Sequence, residues 1–296
     1  MSGRLEVRKT YKLFIGGAFP RSESGRSYQV VDAHGQFLAN AAQASRKDAR
    51  DAVVAARKAF PGWSGATAYN RGQILYRIAE MLEGRRAQFD DEVARSEGLG
   101  ARQAAVVVGT AIDRWVHFAG WTDKVAQVAG STNPVAGPYF NISSPEPTGV
   151  VAILAPQDSS LLGLIAVLAP VLVTGNTAVV LTSEHRPLPA VSLAEVLATS
   201  DLPAGVVNIL TGRTAEVAPW LASHMDVNAI DLAGAGTDAG TDADAGLAAS
   251  LEVAAADNLK RVRRPDPPGT DYSLVHGPAR ILDFTEIKTV WHPIGV

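Results

Sequence analysis

The second half of the sequence alternates short apolar runs with helical patterns, and this alternation limits the possible folds more than any other feature. The predicted strands are residues 150–154, 177–181, 206–210 and 228–232. The predicted helices between and after them are residues 160–173, 187–198, 215–224 and 248–259. Strands that are apolar throughout are typical of parallel sheets covered on both faces. The pattern therefore predicts an α/β fold with a doubly wound parallel sheet.

The first half reads mainly as helices. Helical spacing of apolar residues predicts helices over residues 45–60, 69–83, 85–97 and 101–119. Ser45 and Asp48 form a capping-box pattern at the start of the first helix, and Pro61-Gly62 predicts its end. A short hairpin of strands 12–15 and 28–31, turning at Gly16-Gly17, is expected before it.

Three further segments carry strand or breaker patterns. A hairpin is expected from strands 123–129 and 139–144, and residues 284–291 alternate enough to form a last strand. Residues 261–269 include Arg-Pro-Asp-Pro-Pro-Gly, which cannot continue a helix or a central strand.

Composition excludes several functional classes. The 296 residues carry a formal net charge of -3, which argues against nucleic acid as the main partner. Cysteine is absent, so disulfides, thiolate metal sites and cysteine nucleophiles are excluded for this chain. The six histidines show no metal-ligand spacing, and we predict no metal site. The most apolar run, residues 161–173, is too short to span a membrane, and we expect a cytoplasmic protein without membrane contact.

Several segments together resemble the aldehyde dehydrogenase superfamily, in order from about residue 11 to 262. They are Gly-Trp-Thr-Asp-Lys at 120–124, Pro-Thr-Gly-Val-Val at 147–151, Gly-Asn-Thr at 175–177, Ser183-Glu184, Leu-Pro-Ala-Gly-Val-Val-Asn at 202–208 and Asn-Leu-Lys-Arg-Val at 258–262. The resemblance implies a Rossmann-like nucleotide-binding domain with N-terminal helices and a small oligomerisation sheet.

The sequence departs from the family after residue 262. Active members continue with a Glu-Leu-Gly-Gly segment and a long catalytic domain, whereas this chain continues with Arg-Arg-Pro-Asp-Pro-Pro. Residues 284–291 resemble the family's C-terminal strand, which lies beside the hairpin at 124–144. The chain therefore resembles a short, catalytically deficient member with an internal deletion. The implied regions are 1–122 (N-terminal helices), 123–146 (oligomerisation hairpin), 147–262 (Rossmann-like nucleotide-binding domain), 263–283 (linker) and 284–296 (C-terminal oligomerisation strand).

The resemblance leaves no candidate catalytic residue. Aldehyde oxidation needs a thiolate, an oxyanion donor and a general base. The chain has no cysteine, and Asp158, which accepts but does not donate hydrogen bonds when ionised, replaces the family's asparagine. The nearest acid to the missing base, Glu252, is interpreted as a solvated helix residue.

The resemblance also implies a degraded cofactor site. Leu181 replaces the lysine that holds the adenosine ribose in the family, whereas Glu184 is kept. Gly234 remains in the phosphate-facing turn, but Asp238, Asp242 and Asp244 follow it and would repel phosphate. We retain Glu184 and Gly234 as remnants of cofactor binding, expect NAD binding to be weak or absent, and predict no cofactor.

These observations predict a non-catalytic aldehyde dehydrogenase-like subunit, a structural or regulatory partner of a complete aldehyde dehydrogenase in a hetero-oligomer. One alternative is a module that senses a nucleotide or metabolite through the remnant crevice. Another is an NAD-dependent oxidoreductase that is active only within a complex. The third is relocated chemistry at a serine of the pair Ser159-Ser160 or at Asp158.

Overall fold

A computed structural model describes residues 9–235, 242–274 and 277–294. The strands of this part are β1 (Thr10–Tyr11), β2 (Ser27–Val31), β3 (Phe37–Ala42), β4 (Ser131–Asn133), β5 (Tyr139–Pro147), β6 (Val150–Leu154), β7 (Thr177–Leu181), β8 (Val207–Leu210), β9 (Ala229–Asp231), β10 (Arg261–Arg263) and β11 (Thr285–Pro293). The helices are α1 (Arg46–Gly65), α2 (Ala68–Glu83), α3 (Arg86–Glu97), α4 (Ala101–Ala119), α5 (Val125–Ala129), α6 (Leu162–Val173), α7 (Leu188–Leu197), α8 (Thr214–Ala222), α9 (Asp242–Ala256) and α10 (Ala279–Leu282).

The predicted parallel sheet is confirmed. Its order is β10-β9-β6-β7-β8, and every pair of neighbours runs parallel. Val151 and Ile153 of the middle strand belong to the apolar cluster that includes α2, α4 and α6, whereas Val150, Ala152 and Leu154 belong to the cluster with α1 and α8. Because alternate residues of one strand enter two different cores, helices cover both faces and the sheet is doubly wound.

The hairpin predicted from residues 12–15 and 28–31 is wrong. β2 pairs antiparallel with β3, which the sequence reading missed, and β3 pairs parallel with β1. Phe14 instead exchanges two backbone hydrogen bonds with Ile209, at 2.9 and 2.7 Å, and lengthens the outer edge of the central sheet beside β8. Gly16 and Gly17, with φ of 61° and 81°, make the expected turn, but it returns the chain to Ala18.

Helix α1 continues past the end predicted at Pro61-Gly62. The capping box is confirmed, since Ser45 and Asp48 each accept a hydrogen bond from the other's backbone N–H. Proline lacks the N–H and normally interrupts a helix. Here the last turn carries Trp63, which is 1% exposed, and burial of this indole favours the extra turn.

The small sheet has the order β11-β5-β4. The strand predicted over residues 123–129 is wrong, because this segment forms the short helix α5 with Val125 turned into the core. The strand predicted at 139–144 is confirmed as β5 and is longer than expected. The expected pairing of the last strand is confirmed by nine positions, from Thr285 opposite Pro147 to Pro293 opposite Tyr139.

Two boundaries after β9 also differ from the sequence reading. Helix α9 begins at Asp242 rather than at residue 248. Strand β10 forms at the start of a segment that cannot continue a central strand, because it lies at the edge of the central sheet.

The division of the chain into five regions remains a prediction. None of the helices in the described part of the chain combines the length and apolar character that crossing a membrane requires.

Candidate functional site

The candidate site lies where the parallel strands end, because open α/β sheets bind ligands outside the carboxyl ends of their strands. Gln157 follows β6 and links its loop to the loop after β7. Its Oε1 accepts a hydrogen bond from the backbone N–H of Glu184 at 2.8 Å, and its backbone carbonyl accepts one from the Ser183 hydroxyl at 2.9 Å. The Gln157 amide also donates to the carbonyl of Ala155 at 2.9 Å. The two loops therefore have a fixed relative position.

Glu184 is directed at the start of α8. One carboxylate oxygen accepts from Arg213 at 2.5 Å, and the other accepts from the backbone N–H of Thr214 at 3.0 Å. The hydrogen bond from Arg213 to Glu184 raises the pKa of the guanidinium above its ordinary value. A carboxylate is favourable at a helix N-terminus. Both oxygens of Glu184 are thus engaged by residues of this chain.

Gly234 lies in the turn that follows β9, against the end of β6. Its N–H donates to the carbonyl of Leu154 at 2.9 Å, and a Cβ added here would lie 1.9 Å from the carbonyl oxygen of Ala155. Only glycine allows this close approach of two backbones. Asp238 lies outside the described residues. Asp242 and Asp244 lie in the first turn of α9.

A buried charged cluster at the same edge was missed by the sequence reading. Arg280 donates to Asp231 at 3.0 Å and to Asp266 at 2.6 Å, and Arg263 donates to Asp266 at 2.7 Å. The side chains of Asp231 and Asp266 are 0% and 5% exposed. Tyr272 donates its phenol proton to Asp266 at 3.0 Å. These residues are separated by up to 49 positions, so no local motif signals them.

Burial and neighbouring charges together shift the pKa values of this cluster in different directions. Desolvation raises the pKa of Asp231 above its ordinary value, although Arg280 opposes the shift. Burial also acts to raise the pKa of Asp266, but its hydrogen bonds to Arg280 and Arg263 outweigh burial and lower it. Burial and the neighbouring Asp266 carboxylate raise the pKa of Tyr272, so that the phenol stays protonated.

Comparison with known proteins assigns the fold to a family. A model of the aldehyde dehydrogenase family matches residues 19–256. The chain belongs to the aldehyde dehydrogenase family. It is 35% identical to retinal dehydrogenase 2 of Gallus gallus over 263 residues, which cover 87% of this chain and 48% of that protein.

Other relatives agree with this assignment. Cytosolic 10-formyltetrahydrofolate dehydrogenase of Mus musculus is 34% identical over 243 residues, covering 78% of this chain and 26% of the relative. The NAD+ complex of aldehyde dehydrogenase from Bacillus cereus superposes with a TM-score of 0.79 at 26% identity, covering 86% of this chain and 50% of that one. PnpE from Pseudomonas sp. WBC-3 also gives a TM-score of 0.79, at 29% identity, with coverages of 86% and 50%. The chain thus spans about half the length of these solved structures.

In this aldehyde dehydrogenase family member, the positions that the resemblance assigns to the cofactor make contacts within the chain. Leu181 is fully buried at the end of β7 and belongs to an apolar cluster, so it offers no hydrogen bond to a ribose. Glu184, which the resemblance assigns to the ribose, is already bound to Arg213 and the N-terminus of α8. Gly234 is present, but its contact with Ala155 accounts for the glycine without a phosphate.

The positions named for catalysis are also engaged in local structure. The backbone carbonyl of Asp158 accepts a hydrogen bond from Arg186, and its side chain is exposed. Ser159 accepts from the N–H of Gly163 at 2.8 Å, and Ser160 donates to Glu97 at 2.7 Å. Glu252 lies on α9 and forms an ion pair with Arg264 at 3.5 Å. In the described residues, no group of three or more His, Cys, Asp or Glu side chains is placed to hold a metal ion.

Proposed function

We propose that this chain is a non-catalytic aldehyde dehydrogenase-like subunit that assembles with a complete aldehyde dehydrogenase as a structural or regulatory partner. Its sequence contains no cysteine, and family-type oxidation proceeds through a thiolate. The engagement of Glu184 with Arg213 supports a weak or absent affinity for NAD. The proposal therefore assigns the chain a role in assembly rather than in chemistry.

The surface that carries this proposal is the small sheet of β4, β5 and β11. Its apolar side chains with exposures between 42% and 58% are Tyr139, Phe140, Ile142, Ile287, Val290 and Trp291. Phe140, Ile142 and Val290 share one face, because Ile142 lies directly opposite Val290 and alternate residues face alike. Contiguous exposed apolar side chains of this kind are typical of a protein interface.

The edge of β11 supports the same role. In the described part of the chain, this nine-residue strand pairs with β5 and with no second strand. Its other edge presents backbone N–H and C=O groups to solvent, and such edges readily accept a strand from another chain. A partner that adds a strand there and covers the apolar face would satisfy both features.

The test is co-expression of the full chain with a complete aldehyde dehydrogenase from the same organism, followed by native mass spectrometry. We expect a mixed complex, and Val290→Lys and Ile142→Lys should each weaken it by about tenfold or more. Val106→Lys is the matched control, because Val106 is 63% exposed on α4, away from this sheet. A chain that stays monomeric beside the enzyme would contradict the proposal.

A nucleotide- or metabolite-sensing module is the second candidate. The observation that favours it is a cavity of about 210 Å³ beside the remnant residue Glu184, lined also by Tyr28, His185, Arg186 and Arg213, among others. Ligand binding should raise the melting temperature of the chain. A rise with millimolar NAD+ or ADP-ribose would favour this candidate, whereas aldehyde-dependent NADH formation that requires this chain within the mixed complex would favour an oxidoreductase that is active only in a complex.

A further inference from the structure

The segment that follows β10 folds back over the carboxyl edge of the central sheet. We call it the strap and define it as residues 264–274 and 277–284 of the described chain. The N–H of Asp266 donates to the carbonyl of Ala233 at 3.4 Å, just beyond β9. Residues of the strap and of the loop after β6 together line a cavity of about 240 Å³, with Gln157 on one side and Tyr272 on the other. The strap thus lies over the entrance where an open α/β sheet takes its ligands.

The first attachment of the strap is ionic. Arg280 of the strap lies between Asp231, which ends β9, and Asp266 of the strap itself, and its side chain is only 13% exposed. Buried charges are costly unless each has a partner. Opening the strap would leave Asp231 buried without its cation, so these contacts stabilise the closed position specifically.

The second attachment comes from α4. Arg114, which is 5% exposed, donates to the backbone carbonyls of Tyr272 and Ser273 at 3.2 and 2.9 Å. These two acceptors lie in a part of the strap that has neither helix nor strand. Arg114 therefore orders this part directly.

An apolar anchor holds the end of the strap. Ile281 and Phe284 are fully buried in the core cluster that contains α6. The carbonyl of Phe284 accepts hydrogen bonds from the Asn176 side chain at 2.9 Å and from the N–H of Thr148 at 3.3 Å. The end of the strap at Ile281 and Phe284 therefore stays fixed even if residues 264–274 open.

We propose that the strap is an intramolecular cover that closes the carboxyl edge of the sheet, with Arg280 and Arg114 as two independent latches. It follows residue 262, the point after which active members of the family instead continue with a Glu-Leu-Gly-Gly segment. Residues 264–274 of the cover can separate from the core, because side chains and backbone carbonyls hold them in place rather than sheet pairing. This inference is independent of the proposed partner role.

Hydrogen–deuterium exchange on the full chain tests the cover. In Arg280→Gln and in Arg114→Gln, we expect exchange about tenfold faster in residues 264–274 and in the loop at 155–160, with unchanged exchange in β7 and α2. Arg264→Gln is the matched control, because Arg264 belongs to the strap but its side chain is 82% exposed. Exchange in this variant should match that of the wild type.

Two results would overturn the inference. If the strap opens but the loop at 155–160 keeps its protection, the strap does not cover the edge. If exchange rises uniformly through the chain in both variants, the strap is part of the core. Tyr272→Phe, which removes one hydrogen bond to Asp266, is a milder variant in case the others fail to fold, and it should speed exchange in both the strap and the loop at 155–160, by less than the arginine variants do.

Discussion

The carboxyl edge of the central sheet and the outer edge of the small sheet are handled in opposite ways. At the first, the strap brings Arg280 and Asp266 against Asp231, and every charge of this trio has a partner within the chain. At the second, β11 pairs on one side only within the described residues and leaves apolar side chains about half exposed. The difference teaches that one chain can pair its buried charges locally at one edge while it leaves apolar side chains exposed at another.

The largest expected effect is a difference in unfolding free energy between two variants, one substituted in the central sheet and one in the small sheet. Ile153→Ala removes a fully buried side chain from β6 and should lower the free energy of unfolding by about 2–5 kcal/mol. Ile287→Ala, at a residue 54% exposed on β11, should cost less than about 1 kcal/mol in the isolated chain. Urea unfolding of both variants measures this. Equal losses would mean that the small sheet is already covered in solution.

A smaller effect tests how tightly the carboxyl edge is packed. Gly234→Ala would force a Cβ against the carbonyl oxygen of Ala155 and should destabilise the chain by about 1–3 kcal/mol. Gly246→Ala is the control, because a Cβ there meets nothing within 4 Å and Gly246 lies in α9. Alanine should stabilise that helix by roughly 0.5–1 kcal/mol. Thermal unfolding should therefore shift in opposite directions for the two variants.

The smallest effect concerns the ion pair that joins the two sheets. Arg261 of β10 donates to Glu286 of β11 at 2.6 Å, and this hydrogen bond lowers the pKa of the carboxyl below its ordinary value of 4.5. A lowered pKa in the folded state means that the stabilisation is present above that value and is lost as the pH falls further. Because both side chains are about half exposed, the pair should contribute only about 0.2–1 kcal/mol.

Melting temperatures of the wild type and Glu286→Gln over a pH series measure this contribution. The wild type should be the more stable at pH 7, and the difference should disappear in acid. A difference that persists at a pH below the lowered pKa of Glu286 would show that the substitution acts through packing instead.

The central sheet could be predicted from the sequence because its strands are buried on both faces and are therefore apolar without interruption. The strand predicted for residues 123–129 is wrong because the segment forms a short helix that buries Val125 in the core, and this packing is not visible in so short a sequence. Pro61 was read as a helix end because local propensity does not include the burial of Trp63. Tertiary packing overrides local preference at both places.

The sequence could predict a residue of the candidate site only where a single position matches the family pattern. The resemblance located Glu184 and Gly234, but it did not reveal that Arg213 binds Glu184, since this contact joins loops after different strands. The strap was not predicted at all. Its order depends on Asp231, Asp266 and Arg280 meeting in space, and no local sequence pattern signals a contact between residues so far apart in the chain.

The pairing of Phe14 with Ile209 has a consequence for how the isolated chain behaves at high concentration. It covers part of the outer edge of the central sheet, and the opposite edge is the short strand β10, which carries Arg261 and Arg263. Short, charged edges resist templated aggregation. The tendency to form fibrils or amorphous precipitate should therefore be concentrated in β11, and a solubility screen of this chain should begin with charged substitutions on that strand.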